Sequence, residues 1–195
     1  MPVGPKSRGV SVDDCQPHFP APAPGTPAAL ALVAQPLTRE AFAAFGDVIE
    51  SAHARSMPIN AGMTTRFHDL ARVDPGPGDS RVLVNIFETQ PYAMPLQVGM
   101  LERHPLGSQA FVPMDGSRFL VVVAPAGDTV RVEDIRAFVT DGRQGVNYAR
   151  GVWHHPLVVT QQPASFVVID RGGAGPNCDE ILVPPACVVR VSLAG

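Results

Sequence analysis

The sequence contains little charge, because Asp, Glu, Lys and Arg together make up only 17% of its 195 residues. Lysine is nearly absent: Lys6 is the single lysine among 15 basic residues. The formal net charge of −3 gives no basic excess of the kind that binds nucleic acid or an anionic membrane. A chain this poor in charge has to bury much of its surface, either within itself or against a second subunit.

Cysteine and long apolar runs are also scarce. Cys15, Cys178 and Cys187 are widely spaced and form no Cys-x-x-Cys pair, which argues against a disulfide framework and for a reducing compartment. No apolar run approaches the roughly 20 residues that span a bilayer. Prolines interrupt the segment in which a secretory signal would need its apolar region. We therefore expect a cytoplasmic protein that binds neither a membrane nor nucleic acid.

Proline, by contrast, is concentrated at the N-terminus, where residues 1–36 hold eight of the 21 prolines. Proline cannot donate hydrogen bonds to a sheet and favours an extended, solvated chain. We therefore predict a disordered arm over residues 1–36, with packing on a partner subunit as the alternative. Residues 37–195 are of the right length for one domain with its own core.

The residues beyond the arm are typical of an all-β domain with a few short helices. Thr38 as an N-cap and Gly46 as a stop predict one short helix between them. Runs rich in β-branched residues, bounded by Gly, Pro, Asp or Asn, then predict strands over residues 81–87, 97–103, 118–124, 136–140, 157–160 and 165–171. Many short strands at this spacing indicate an antiparallel sandwich or a jelly-roll barrel.

Two polar clusters could carry chemistry. Glu102 and His104 are two residues apart at the end of a predicted strand, so both point to one face, and Gln109 starts the return strand. These residues suit a divalent metal, although a surface hairpin could carry them equally well. His154 and His155 follow the only Trp, and such a pair is more often structural than catalytic. Adjacent strand residues point to opposite faces, so one histidine enters the interior and the other belongs at the surface or an interface.

The spacing of these clusters resembles the two motifs of the cupin superfamily. The chain reads Glu102-x-His104-x4-Gln109-x6-Gly116 and then Gly151-x2-His154, in the frame of those motifs. More specifically, four phrases in order resemble the bacterial ureidoglycolate lyase family: RFHDLA (66–71), ERHPLGSQAFVPM (102–114), GVNYARGVWHHPL (145–157) and IDRGG (169–173).

This resemblance implies a cupin-type double-stranded β-helix (jelly-roll) barrel and a homodimeric enzyme of allantoin and purine catabolism. The implied reaction is the cleavage of (S)-ureidoglycolate to glyoxylate and urea. The resemblance also implies a divalent metal, nickel being the one associated with the family, with Glu102, His104, Gln109 and His154 as ligands. Glu102 and Gln109 replace a His and a Glu of the usual cupin set. Two alternatives follow from these replacements: the site binds metal more weakly than the usual cupin set, or the same residues bind the substrate directly without metal.

The substrate chemistry adds further candidates. A carbinolamine that releases urea needs a base near its hydroxyl, an acid near the leaving nitrogen and a cation for its carboxylate. Glu102 is the expected base, with His154 as the second candidate. The substrate-binding candidates, each with a structural alternative, are Arg66, His68, Asn60, Arg171 and Asp170. Of these, the two arginines would clamp the carboxylate, because a guanidinium fits it in bidentate fashion.

Two other functions compete with this one. An amidohydrolase acting on a related ureido acid would release ammonia, but the chain lacks the His/Asp/Glu set of a two-metal hydrolase. A non-catalytic cupin would bind a small organic acid without converting it to a product. Such modules usually carry a helix-turn-helix segment, which this sequence does not show. A homodimer is expected in addition from the apolar run FLVVV at residues 119–123, whose outer sheet face needs cover.

Overall fold

The computed structural model describes residue 19, residues 29–184 and residues 187–194. Within these residues one short helix, α1 (Arg39–Phe42), accompanies two 3-10 turns, Asn60–Gly62 and Val132–Asp134. No helix in this part of the chain is long and apolar enough to cross a membrane. The strands are β1 (Ala29–Val33), β2 (Gln35–Pro36), β3 (Gly46–Ile49), β4 (Ser56–Ile59), β5 (Thr64–Phe67), β6 (Arg81–Thr89), β7 (Leu96–Val98), β8 (Met100–Arg103), β9 (Gln109–Pro113), β10 (Phe119–Ala124), β11 (Arg136–Val139), β12 (Gly145–Tyr148), β13 (Trp153–His154), β14 (Val158–Val159), β15 (Ala164–Gly172), β16 (Asp179–Leu182) and β17 (Val188–Ser192).

Two sheets face each other across the main core. The first has the order β16-β8-β13-β10-β11-β2, with β14 also paired to β10, and the second has the order β3-β12-β9-β15-β6. Phe119 and Val121 enter the core from the first sheet, and Phe111 and Phe166 enter it from the second. Helix α1 adds Phe42 to the same core. The all-β prediction is confirmed, and the two facing sheets enclose the main core.

A third sheet covers the outer face of β10. Alternate residues of a strand point to opposite faces, so Leu120 and Val122 point away from the main core into a second one. The sheet β1-β17-β7 lies over them and contributes Val189 and Val191. The apolar run at residues 119–123 is therefore buried on both faces within one chain, which accounts for its continuous hydrophobicity. The inference that this run needs a second subunit as cover is wrong, whereas the dimer itself stays a prediction.

Residues 29–36 belong to the folded domain and not to the arm. β1 pairs in parallel with β17 over its whole length, and β2 pairs in parallel with β11. Leu30 and Leu32 pack against the second core, and so does Phe19. The domain therefore begins at residue 29 or earlier, which corrects the boundary drawn after residue 36. Apart from Phe19, the predicted disorder of residues 1–28 lies outside the described residues.

Loss of residues 29–36 is expected to destabilise the domain. Compared with a variant that lacks residues 1–28, a variant that lacks residues 1–36 should have a free energy of unfolding lower by about 2 kcal/mol or more. The reason is that Leu30 and Leu32 lose their apolar contacts, at roughly 25 cal/mol per Å². Urea denaturation of the two truncation variants measures the difference. Equal stabilities would contradict the role of β1 as a structural strand.

Candidate metal and active site

Glu102 and His154 lie directly opposite each other on the neighbouring strands β8 and β13. His104 follows the end of β8, two residues beyond Glu102, which returns its side chain to the same face. One nitrogen of each imidazole and one carboxylate oxygen of Glu102 all lie within 4.8 Å of one another. The fold thus brings together three of the four residues that the sequence analysis named as metal ligands.

Each imidazole of this group is held through its Nδ1 atom. Nδ1 of His104 lies 2.6 Å from the carbonyl oxygen of Asn177, and Nδ1 of His154 lies 3.0 Å from that of Val152. A carbonyl oxygen only accepts, so both rings carry a proton on Nδ1, and the lone pair of the neutral imidazole then lies on Nε2. Both Nε2 atoms are buried and have no hydrogen-bond partner among the described residues. Two buried acceptors facing one carboxylate fit a divalent cation.

The ionisation states of Glu102 and His154 also suit a cation. Burial alone would raise the pKa of Glu102, but the contact with His154 and the charges of His104 and His155 lower it below its ordinary value. Burial lowers the pKa of His154, against the opposing influence of Glu102. Nε2 of His154 lies 3.4 Å from Oε1 of Glu102, which is long for a hydrogen bond. The result is an ionised carboxylate beside a neutral imidazole.

The second sheet contributes Asn85, Gln109 and Asp170 opposite this group. Nδ2 of Asn85 donates to Oδ1 of Asp170 at 3.3 Å. Burial raises the pKa of Asp170, although the charge of His104 and the amides of Gln109 and Asn85 act against this. Asp170 therefore has His104 and Gln109 as neighbours. Gln109 is itself buried, and its Oε1 has no donor among the described residues, so it is available to a cation or a substrate.

The turn between β8 and β9 positions His104 and Gln109. At Gly107 an added Cβ would come within 2.8 Å of Cβ of Arg171, so only glycine allows this close approach. Nη2 of Arg171 donates to the carbonyl oxygen of Ala174 at 2.9 Å. Arg171 thus packs beneath the turn. It follows Asp170 directly in β15, and adjacent strand residues point to opposite faces, so Arg171 points away from the face that carries Asp170. This placement favours its structural alternative over a carboxylate clamp.

Arg66, His68 and Asn60 are not brought to this group within one subunit. Arg66 lies in β5, and Asn60 lies at the tip of the β4–β5 hairpin, where its Nδ2 donates to Oγ1 of Thr64 at 3.3 Å. His68 lines a separate surface cleft. None of the three lines the cavity that reaches Glu102. Their proposed contact with substrate therefore has no support from the single chain.

An open cleft of about 540 Å³ gives access to Glu102. Its lining consists of Phe87, Glu88, Thr89, Tyr92, Glu102, Phe111, Pro156 and Leu157. Tyr92 also packs edge-on against His155, with ring centroids 5.8 Å apart, and His155 is buried rather than at the surface of the subunit. Among the described residues no Arg or Lys lines the cleft.

Four residues near this group were missed from the sequence, namely Asn85, described above, and Tyr148, Cys178 and Glu180. The ring of Tyr148 stacks on His154 with centroids 4.2 Å apart, and this tyrosine lies within a phrase already singled out. Sγ of Cys178 lies 4.0 Å from Oε2 of Glu102, and Glu180 is the partner of Glu102 on β16. Cys178 and Glu180 form with Glu102 a second group that could hold a metal ion.

This second group is the weaker ligand set. Burial and the neighbouring carboxylates raise the pKa of Cys178, which disfavours the thiolate that a metal requires. Both Cys178 and Glu180 are exposed to solvent. The histidine group, with its buried unpaired nitrogens, is therefore the better candidate for a metal centre.

Comparison with known proteins places this geometry in context. The family model described as ureidoglycolate lyase matches residues 29–190. A ureidoglycolate lyase of Burkholderia mallei is 58% identical over 150 residues, which are 77% of this chain and 88% of that protein. Ureidoglycolate lyases of Pseudomonas syringae pv. syringae and Pseudomonas aeruginosa are 55% and 54% identical, over 76% and 75% of this chain and 88% and 86% of theirs. RmlC from Streptococcus suis, solved in complex with dTDP-D-xylose, is 14% identical with a TM-score of 0.37 over 49% of this chain and 46% of its own, an overlap too limited to bear on the argument.

Replacing His154 with Ala is expected to weaken Ni²⁺ binding by about 100-fold or more. Removing a residue that only orients a metal ligand already lowers metal affinity by roughly 10- to 100-fold, and removing the ligand itself lowers it further. Calorimetric titration of chelator-stripped protein with NiCl₂ measures this affinity. His53→Asn is the matched control, since His53 is exposed and has a left-handed φ of 57° that Asn tolerates. An affinity equal to that of the wild type would contradict the assignment of His154 as a ligand.

Proposed function

Because the chain belongs to the ureidoglycolate lyase family, we propose that it cleaves (S)-ureidoglycolate to glyoxylate and urea in the catabolism of allantoin. The observation that carries the proposal is the grouping of Glu102, His104 and His154 beside an open cleft. This grouping supports the reaction because the carboxylate of Glu102 lines the cleft, and two imidazole nitrogens that have no hydrogen-bond partner among the described residues lie directly behind it.

The substrate is a carbinolamine whose central carbon bears a hydroxyl, a carboxylate, a hydrogen and the ureido nitrogen. Release of urea breaks the bond between this carbon and the nitrogen. The hydroxyl proton is removed, the leaving nitrogen gains a proton, and the carbon becomes the aldehyde carbon of glyoxylate. No water is consumed. The site therefore needs a base that takes the hydroxyl proton, an acid that delivers a proton to the leaving nitrogen (the protonated base can serve), partners for the ureido group and a cation for the carboxylate.

Glu102 is the proposed base for the hydroxyl proton. Its lowered pKa keeps it ionised, and it lines the cleft through which the substrate would enter. A positioned general base contributes on the order of 10²–10⁴-fold to a rate. His154 is the second candidate, because its burial keeps it neutral and its Nε2 is free to accept a proton.

The opposite sheet suits the ureido group. A ureido group presents N–H donors and one carbonyl acceptor, so it needs both kinds of partner. The carboxylate of Asp170 can accept from its nitrogens, and the side-chain amides of Asn85 and Gln109 can donate to its oxygen. The hydrogen bond between Asn85 and Asp170 supports this role, since it holds the two side chains in place before the substrate arrives.

A divalent metal, nickel in particular, is the proposed cofactor. Nε2 of His104, Nε2 of His154, a carboxylate oxygen of Glu102 and Oε1 of Gln109 would hold it, and imidazole nitrogens suit nickel. When bound, such an ion supplies Lewis-acid chemistry that lowers the pKa of the substrate hydroxyl. Where the ion occupies both Glu102 and Nε2 of His154, a group outside the ligand set would have to act as the base.

A symmetric homodimer is the proposed assembly. β6 lies at the edge of the second sheet, and its outer side exposes Val82, Val84 and Ile86, the last two by 70% and 63%. We call these three residues the β6 face. A long apolar edge strand invites association unless it is covered. A two-fold dimer is the commonest closed arrangement that covers such a surface.

Purified protein incubated with (S)-ureidoglycolate is expected to release glyoxylate and urea in equal amounts. A chelator should slow the reaction, and added Ni²⁺ should restore it. Colorimetric assays for glyoxylate, urea and ammonia measure the products separately. Ammonia in place of urea would show an amidohydrolase, and binding without any product would show a non-catalytic cupin. Either result would contradict the proposed function.

Val84→Asp is expected to convert the dimer to a monomer, because it places a charge in the middle of the β6 face. Light scattering at micromolar concentration measures the molar mass. Leu182→Asp is the control, since Leu182 is equally exposed but lies on β16 in the other sheet. A monomeric wild-type protein, or a Val84→Asp variant that remains dimeric, would rule out an interface at this face.

A further inference from the structure

The β4–β5 hairpin pairs with no further strand among the described residues, so it forms a separate two-stranded sheet. All four residues of β5 are exposed, and Met63 before it is exposed by 88%. An isolated two-stranded hairpin is at best marginally stable in water. Met57 and Ile59 of β4 are half-buried, whereas the exposed side of β5 is free to pack on a surface outside the described part of the chain.

The hairpin carries an unpaired cation. Its tip has a defined shape, since Asn60, Ala61 and Gly62 all have positive φ values, of 54°, 56° and 87°. Arg66 lies on the returning strand, is exposed, and makes no ion pair within the described residues. The hairpin thus presents a free guanidinium a few residues behind a well-defined turn.

The cleft, in turn, has no cationic side chain among its described lining residues. Glu88 and Glu102 line it, and Asp170 lies close to the histidine group. Arg103 follows Glu102 in β8, so it points to the other face, where it pairs with Asp179. A divalent ion would be balanced by the carboxylates around it. An incoming substrate carboxylate would therefore meet no Arg or Lys among the described residues that line the cleft.

The cleft lies beside an uncovered strand edge. The end of β6 supplies part of the cleft lining, through Phe87, Glu88 and Thr89. The same strand carries the β6 face and has a free edge with unpaired backbone groups. Each chain thus has one hairpin with an exposed side and one uncovered strand edge beside its cleft. In a two-fold dimer the hairpin of each subunit can cover the strand edge of the other, because this symmetry makes each contact twice.

We propose that the β4–β5 hairpin of each subunit lies along β6 of the other subunit, and that Arg66 binds the substrate carboxylate in the other subunit's cleft. This inference rests on the proposed lyase function and on the proposed homodimer. A guanidinium matches a carboxylate in bidentate fashion, which suits a clamp of this kind. The proposal keeps the role that the sequence analysis gave Arg66. It also accounts for the absence of Arg66 from the cleft of its own chain.

Complementation between two inactive variants tests the proposal. Arg66→Ala and His154→Ala are co-expressed with different affinity tags, and the heterodimer is isolated on both tags. One of its clefts combines His154 of the first chain with Arg66 of the second, whereas the other cleft lacks both. Each homodimer is expected to lose about 30-fold or more in kcat/KM. The heterodimer should show roughly half of the wild-type activity per dimer, because one of two sites is complete.

Arg143→Ala is the matched control, since Arg143 is an exposed arginine in the turn after β11, and its homodimer should be fully active. An inactive heterodimer beside an active wild type would overturn the proposal, because Arg66 would then act in its own subunit. A fully active Arg66→Ala homodimer, or the absence of a doubly tagged dimer, would overturn it too. A wild-type protein that releases no urea refutes instead the proposed function on which the inference rests.

Discussion

The pairing of β13 between β8 and β10 is the constraint on which the site depends. It sets His154 opposite Glu102 on one side and opposite Val123 on the other. A slip of one residue would turn His154 to the outer face and bring Trp153 inward. Trp153 prevents this, because it is fully buried in the second core, where its Nε1 donates to the carbonyl oxygen of Gly127 at 2.8 Å. Burial of both faces of this sheet thus fixes the register that builds the site.

The same burial sets the chemistry of the site. His154 stays neutral because it is enclosed between the two facing sheets, with Tyr148 stacked on its ring. Glu102 stays ionised because histidines surround it, although burial acts in the opposite direction. The backbone carbonyls of Asn177 and Val152 then decide which imidazole nitrogen keeps a lone pair. Burial, the neighbouring histidines and two backbone carbonyls thus set the ionisation states and the free nitrogen atoms of this candidate cation site.

Local patterns predicted the parts of the structure that depend on neighbours in sequence. Strand alternation was enough to place Glu102 and His104 on one face, and the continuous run at residues 119–123 was recognised as a strand. Contacts between distant segments were not predictable in this way. The alternating residues 29–33 were assigned to the arm because their partner β17 lies at the other end of the chain. Cys178 and Glu102 are 76 residues apart in sequence, and they come close only because β16 pairs with β8.

The central claim is that a divalent ion binds between the two sheets, on Glu102, His104 and His154. X-ray absorption spectroscopy of the nickel-loaded protein at the metal edge tests this claim most directly, because it identifies the ligand atoms. The account predicts the scattering of two imidazole rings, with oxygen atoms as the remaining neighbours and no sulfur. A sulfur atom at bonding distance would place the ion at Cys178 and Glu180 instead, and would contradict the assignment of the histidine group.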